Sequence, residues 1–476
     1  MPSTLIAVIN TARPTPQAMA CGCANSQMPV MAEAAAVSML TSRLSAVMGT
    51  STHVPAVRPL PSTGALTGVL EALAFFRDPD FARKRFDQLG DVFETRLVGQ
   101  QLVFIRGGQA ITDLLAKPEA TEGWWPESVR QLLGSRSLAN RNGSDHRARR
   151  RAVGQLFSAA ALKRYTPEIV ALVDALALEL QQASQPLPLV DRMRRFAFSV
   201  IASVVLGLEG GDVDALFVDF EIWTRALFSV PVAIPGTPFA RALEARARLL
   251  DRLKAVLQRS PEHRSGGLDL LSGAVDEEGL PLSDDDLVEQ LLLLLFAGYE
   301  TTASSLSCLM AALLQHPAQA TWLQEEMDAL PWPGFDAQPT PRLNALVQEV
   351  MRLNPPVGGF FRRTTAPLVL DGVQVPSGRV IQVALAASNR TSSHGADDLD
   401  QFRPERHLDG ESGLTLLPFG GGERVCLGKA LAELEIRLMA VGLLRQVRLQ
   451  LQPDQDLTLA LIPSPSPRDG LLVMPV

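Results

Sequence analysis

The sequence predicts a mainly α-helical fold with a minor β part, an α+β arrangement in one folded unit spanning residues 57–476. Three observations carry this expectation. Helical apolar periodicity dominates from Glu119 to Leu353. Strand-like runs are short and lie on either side of that block. Hydrophobic residues make up 46% of the 476 positions and charged residues 20%, which is enough to bury a large core and too apolar for a disordered chain. No internal repeat of fixed period is present.

Residues 1–56 are set apart by composition. They are rich in Ala, Ser, Thr, Pro and Met, with Arg13 and Arg43 as bases, Glu33 as the only acid and no Lys. A low-complexity, disordered tail is the expected reading, or a start upstream of the true one, since Met28, Met31 and Met48 could each begin a chain. Acid-poor, Ser-rich composition also fits an organelle transit peptide, but the basic residues are too sparse for that to be preferred. Cys21 and Cys23 lie in this tail with no His nearby, which is a poor zinc site on ligand count.

From Val57 onward each element has a local cause. Val92–Val98 and Gln101–Ile105 read as two strands joined at Gly99-Gln100. A long helix is expected to start at Ser283, whose hydroxyl can cap it. Asp284, Asp285 and Asp286 favour its positive end. It should run through Leu291–Leu295 and end before His316-Pro317, nearly ~50 Å at about 1.5 Å per residue, and so cross the whole molecule. A second helix is expected from Thr340-Pro341, a cap followed by proline at the first helical position, to Leu353, where Pro355-Pro356 stops it. Strands return around Leu368–Val375, Arg379–Val383, Leu457–Ile462 and Gly470–Met474.

Charge and cysteine usage exclude some functions. Lys and Arg total 44 against 51 Asp and Glu, a net charge of −7, and aromatics are 5% of the chain. Neither a basic face for phosphates nor a base-stacking platform is indicated, so nucleic acid is not an expected partner. Four cysteines in so long a chain make no disulfide framework and point to a reducing, cytoplasmic setting. The longest purely apolar run, Leu291–Gly298, is far shorter than the ~20 residues that span a bilayer, so no integral membrane association is expected.

The most informative stretch is Pro418-Phe-Gly-Gly-Gly-Glu-Arg-Val-Cys-Leu-Gly-Lys-Ala-Leu-Ala-Glu433. Its three glycines allow a tight turn that lies flat against a neighbour. Cys426 follows and opens a strongly helical run, a position that favours thiolate. A lone cysteine is more often a small buried hydrophobe. That reading leaves the glycines, Arg424 and Gly428 unexplained.

Phe419, Gly422, Arg424, Cys426 and Gly428 together fit FxxGxRxCxG, and the chain here resembles the cytochrome P-450 superfamily. The resemblance implies one haem-thiolate fold with a long central helix over the haem. The implied cofactor is haem b, with Cys426 as its axial thiolate and metal ligand. Such a thiolate pushes electron density toward iron and favours O–O cleavage. Arg424 would pair a haem propionate. Phe419 would pack near the sulfur, and Gly420 would belong to the same haem-binding loop.

Other segments match the family independently. Ala297-Gly-Tyr-Glu-Thr-Thr302 resembles its oxygen-binding segment. Ala297 and Gly298 would leave room for O₂, and Glu300 with Thr301 would be the acid–alcohol pair that delivers protons. Thr301 alone could equally bond back to a helix carbonyl. A carboxylate at Glu300, amid apolar residues, needs a partner or water. Glu349 and Arg352 match the family's ExxR motif, with Arg406 as the third member of a structural network; alone they would be an ordinary surface pair. In Gly143–Arg151, His146 and Arg150 sit where the family places propionate-binding groups, while Arg149 reads as part of a solvated basic face. Arg362 is a further propionate candidate, with Arg363 as its rival. The resemblance covers roughly Arg58–Val476. The segments Phe75–Phe81 and Pro235–Phe239 are similar to the retinoid-hydroxylase-like group.

The implied function is a haem-thiolate monooxygenase acting on a small apolar substrate, an isoprenoid or retinoid-like compound. Its pocket would be drawn from Trp124-Trp125, Phe228–Phe239, Leu293–Ala297, Val357–Phe361 and Ile462–Pro465. O₂ and two external electrons would be required. No flavin or iron–sulfur module lies in the chain, so a ferredoxin- or flavodoxin-type donor with its reductase is implied. A patch of Arg147, Arg149, Arg151, Lys429 and Arg437 would dock it. A haem-thiolate peroxygenase or isomerase, and a non-catalytic haem protein that binds a lipophile, are the alternatives. Glu300 and Thr301 count against both.

Overall fold

Ser283 begins the longest helix of the fold. Its backbone is extended (φ −68°, ψ 159°) and its hydroxyl accepts from the Asp286 amide at 3.2 Å, satisfying one of the free donors of the first turn. The helix runs Asp284–Gln315, within the bounds the sequence predicts. Leu291, Leu292, Leu295 and Leu306 on it are fully buried, in the largest apolar cluster. Among the described residues it is the one helix long and apolar enough to cross a membrane, but 72% of its apolar window is buried within the fold. Its apolarity is therefore spent on the core. The computed structural model describes residues 57–476 apart from 65–67, 79–80, 98–99, 260–265, 335–337, 392–397, 409–412 and 415. The expectations for the 1–56 tail, Cys21 and Cys23 lie outside the described residues.

Helices Leu189–Val200, Pro238–Leu257, Pro341–Leu353 and Lys429–Gln446 lie against this central helix, and Ala159–Gln181 packs on the last of them. At Gly298 the approach is close: a Cβ there would stand 2.8 Å from the Ile201 side chain, just beyond the Leu189–Val200 helix. The sequence reading assigns Gly298 to room for oxygen. The structure adds a second use for its small size, close packing against Ile201.

The helix Pro341–Leu353 forms as predicted, with one difference at its start. The Thr340 hydroxyl makes no cap bond. The Glu326 carboxylate caps instead, accepting from the Arg342 and Leu343 amides at 2.9 and 3.0 Å. Proline at position 341 leaves the amides of the next two residues as the free donors, and a carboxylate suits the positive helix end.

The main sheet has five strands in the order Val92–Leu97, Gln100–Ile105, Val380–Ala384, Gly359–Thr364, Thr121–Gly123. Gln100–Ile105 and Val380–Ala384 run parallel; the other neighbours are antiparallel. Phe93 stacks on its cross-strand partner Phe104 with ring centres 5.3 Å apart. The strand Gly359–Thr364 has no counterpart in the sequence reading. Five of its six residues are half-buried, so no apolar–polar alternation marks it. The predicted Leu368–Val375 strand is a hairpin, Leu368–Leu370 and Val373–Val375, turned at Asp371 and Gly372 with φ of 46° and 71°. The strand expected over Leu457–Ile462 shrinks to Leu459–Ala460.

Candidate active site

The loop before Cys426 is shaped by backbone that only glycine adopts freely. Gly420 and Gly422 have φ of 69° and 68°. Between them Gly421 lies against Leu115, whose Cδ1 would be 2.7 Å from an added Cβ. The loop closes when the Cys426 amide donates to the Phe419 carbonyl at 2.8 Å. Phe419 packs half-buried on the main core, and the Lys429 ammonium stands 5.7 Å over its ring. Gly428 takes the N-cap position of the helix Lys429–Gln446.

Cys426 and Cys308 differ in environment. Cys308 is buried, its thiol pushed up to about 12 by burial, with its Sγ 3.5 Å from the Pro465 carbonyl. Cys426 is exposed. Burial also raises its thiol, but the Gly428 amide and Arg150 act in the opposite direction. Of the two, Cys426 is the one with a cation beside it as well as a hydrogen-bond donor, although burial still leaves its thiol raised on balance.

Cations gather beside this loop. A cleft of about 310 Å³ is lined by His146, Arg147, Arg362 and Arg424, with Glu423 and Asn142 among its other walls. Asn142 Oδ1 accepts from the Gly123 amide at 2.8 Å and from Arg424 Nη2, which also donates to the Arg141 carbonyl. Gly123 is needed for this: a Cβ there would collide with the Arg424 guanidinium. Arg362 is the cross-strand neighbour of Gly123, and its guanidinium lies 4.6 Å over the Phe360 ring. The next residue, Arg363, pairs with Glu122 at 3.8 Å, so of the two rivals Arg362 is the one in the cleft. Arg150 is placed differently, donating to the Val425 carbonyl at 2.5 Å beside Cys426.

The cations depress one another. His146 is buried, and its imidazole is brought down to about 4 by burial and by Arg424, Arg150, Arg362 and Arg147. Arg362 is brought down to about 10 by burial and Arg424. A half-buried cluster in which burial and neighbouring cations lower His146 and Arg362 is matched to a polyanion. Two carboxylates of a flat, apolar macrocycle, whose metal faces a nearby thiolate, satisfy that donor set. The residues present therefore fit haem b.

The basic helix carries a correction. Arg149 is not on a solvated face. It is buried and paired with Asp145, with Glu277 at 2.7 Å and with Asp286 at 3.3 Å. Arg147 and Arg151 are exposed. Arg437 is half-buried and donates to the Gln338 carbonyl, so it too leaves the expected patch.

Glu349 and Arg352 are fully buried rather than a surface pair, joined by two bonds of 2.8 and 2.9 Å. Arg406 Nε reaches Glu349 at 3.1 Å, and His407 Nε2 at 2.7 Å. The Arg403 amide donates to the same carboxylate, and Arg352 also holds the carbonyls of Asn389, Leu399 and Gln401. His407 is a member that the motif reading missed, although it adjoins Arg406 in the same segment.

On the central helix, Ala297 is exposed, and Thr301 is half-buried between the buried Glu300 and Thr302. Thr301 Oγ1 donates back to the Ala297 carbonyl at 2.7 Å. Glu300 is buried and bonds Arg194 at 3.2 Å rather than Thr301. One turn on, Ser304 Oγ donates to the Pro465 carbonyl at 2.6 Å, suspending the loop that carries the exposed Leu461 and Ile462. Of the expected pocket segments, Phe239 is buried in the main core, whereas Trp124 meets Phe361 edge-on at 5.3 Å.

The family model for cytochrome P450 matches residues 59–473. The chain is 35% identical over 425 residues to a putative cytochrome P450 120 of Synechocystis, covering 87% of this chain and 96% of that protein. It is 32% identical over 422 residues to cytochrome P450 26B1 of Danio rerio, covering 84% and 83%. The solved structure of cyanobacterial CYP120A1 with retinoic acid bound superposes with a TM-score of 0.82 at 34% identity, covering 88% of this chain and all of that one. With matching sequence, fold and donor set, the chain belongs to the cytochrome P450 family: it is a monooxygenase whose haem b takes Cys426 as axial thiolate, and which uses O₂, a substrate and a redox partner.

Proposed function

We propose that the enzyme hydroxylates an apolar isoprenoid or retinoid-like substrate, with electrons from a ferredoxin- or flavodoxin-type donor. The observation that carries the substrate class is the likeness to a structure that binds retinoic acid. Trp124, Phe361 and the exposed Val357 and Ile462 supply apolar surface consistent with it. Bound haem would supply the activation of O₂. His146, Arg362 and Arg424 would hold its carboxylates, with Arg150 steadying the cysteine loop and Gly420 and Gly428 shaping it. Thr301 would hold a hydroxyl proton on the open side of the central helix beside Ala297, with Glu300 as the internal acid. Titration of the haem Soret band tests the substrate class: all-trans-retinoic acid should shift it at lower concentration than fatty acids or monoterpenes. A reversed order would reject the retinoid-like reading.

The Gly123–Arg424 contact gives a sharper expectation. Gly123→Ala should displace the guanidinium, an overpacking that costs ~1–3 kcal/mol. The haem retained per chain after gel filtration should fall while the far-ultraviolet circular dichroism stays native. Undiminished haem content would show that Arg424 is not needed to hold it.

The donor would dock on the exposed cations Arg147, Arg151 and Lys429, a local basic surface on a chain of net charge −7. Arg147→Glu with Arg151→Glu should slow haem reduction by an acidic ferredoxin and weaken its salt dependence, leaving substrate binding normal. Equal reduction rates at low ionic strength would place the docking site elsewhere.

A further inference from the structure

Asn142 stands just before the helix Gly143–Gly154, with extended backbone (φ −136°, ψ 166°). Asparagine at this position ordinarily gives its side-chain oxygen to a free amide of the first helical turn. Here the side chain makes no cap bond. Its Oδ1 accepts instead from two donors elsewhere in the chain, the Gly123 amide at 2.8 Å and Arg424 Nη2. These lie 19 residues before it and 282 after it. A local cap has been exchanged for a tie among three segments.

Two donors on one atom decide the orientation of the amide. Of its two ends the oxygen is the acceptor, so Oδ1 must face Gly123 and Arg424, and the NH₂ group must take the other position. Among the described residues that NH₂ group donates to nothing. Yet Asn142 is half-buried and forms part of the wall of the cleft of about 310 Å³ that His146, Arg362 and Arg424 also line.

The same wall has other donors to spare. Arg424 commits Nη2 to Asn142 and to the Arg141 carbonyl, while its Nη1 and Nε bond nothing among the described residues. His146 is one turn beyond Asn142, its amide donating to the Asn142 carbonyl at 3.3 Å. Arg362 is the cross-strand neighbour of Gly123. Burial and neighbouring cations already lower His146 and Arg362. Another cation would deepen that repulsion, whereas an amide adds a donor and no charge.

We infer that Asn142 binds the haem carboxylates as well as positioning Arg424: Oδ1 fixes the guanidinium, and Nδ2 donates to a carboxylate oxygen of the bound haem. This rests on the reading of the cleft as the seat of those carboxylates. The signature around Cys426 does not reach Asn142, and in sequence Asn142-Gly143 before a helix reads as an ordinary cap.

Asn142→Asp separates the two tasks. Aspartate offers Gly123 and Arg424 an acceptor of the same shape, so a residue that merely held the guanidinium would keep haem as firmly as before. A residue that also donates would lose its donor and set an anion against the haem carboxylate. Haem transfer from the holoenzyme to excess apomyoglobin should therefore be faster by ~10–100-fold in Asn142→Asp, the worth of one hydrogen bond to a charged group. The far-ultraviolet circular dichroism should stay native. Reconstitution with the dimethyl ester of haem b removes the carboxylates. The wild type should lose the ester faster than haem b, and Asn142→Asp should lose the ester no faster than the wild type does. Should Asn142→Asp fail to fold, Asn142→Ser carries the same comparison, since it keeps an oxygen acceptor and has no NH₂ group. If the wild type holds the ester as firmly as haem b, the reading of the cleft falls. If the wild type discriminates but Asn142→Asp retains haem b as the wild type does, Asn142 only holds Arg424 and its donor role is overturned. An equal acceleration with haem b and with the ester would place the effect in the fold around the haem and overturn that role as well.

Discussion

Cys426→His is expected to abolish the thiolate-type ferrous carbonyl band, to give the spectrum of histidine-ligated haem and to reduce monooxygenation to background. This is the largest effect expected of any single substitution, because the ligand's electron donation is what favours O–O cleavage. The fold should survive. Cys426 is exposed, and the bond that closes its loop comes from its backbone amide, which any residue but proline supplies. Cys308→Ser provides the contrast: a buried thiol pushed up to about 12 should leave the carbonyl spectrum unchanged. A thiolate-type band persisting in Cys426→His would move the ligand elsewhere in the chain.

Glu349→Ala is expected to be the most destabilising change. The carboxylate is fully buried and answers Arg352, Arg406, His407 and the Arg403 amide. Removing it leaves the buried Arg352 guanidinium without its anion and Arg406 with Asp398 as its carboxylate partner, a loss of ~3–5 kcal/mol. Thermal denaturation should show it directly, with the haem lost early, since this network ties the helix Pro341–Leu353 to Asn389, Leu399 and Arg406. The same site sets an acid limit. Burial alone would raise Glu349, but the bonds from Arg352, His407 and the Arg403 amide outweigh it and bring the group down from 4.5 to about 2. Its contribution is therefore complete above about pH 4.5 and is lost as the pH falls through about 2. Unfolding measured across that window should show the decline in the wild type and not in Glu349→Gln, which starts from the weakened state.

What was legible in the sequence was local. Ser283, its three following aspartates and His316-Pro317 mark both ends of the central helix within a few residues of chain, and the structure keeps both ends. The spacing around Cys426 is equally local and led to the family. What stayed hidden depends on partners far along the chain. Arg149 looks like one base in a basic run until Glu277 and Asp286, 128 and 137 residues further along the chain, are brought to it. Arg194 meets Glu300 across 106 residues, and Arg424 meets Asn142 across 282. Gly123 bears no side chain to be noticed, and it matters because of the guanidinium that lies where a Cβ would be. The strand holding Arg362 is half-buried along most of its length, so it lacks the alternation that exposes a strand to sequence reading.

The bond from Ser304 to the loop that bears Leu461 and Ile462 has an evolutionary consequence. Its acceptor is the carbonyl of Pro465, a main-chain atom that every amino acid supplies equally. The attachment of the loop to the central helix is therefore indifferent to the side chains of Leu461 and Ile462, both of which are exposed. Under the proposal that this loop borders the substrate pocket, mutation can trade those side chains for others and so alter which molecules are accepted, while the suspension point stays fixed. Directed evolution confined to Leu461 and Ile462 should therefore yield altered substrate ranges at little cost in stability, whereas libraries that include Ser304 should be dominated by variants that loosen the loop.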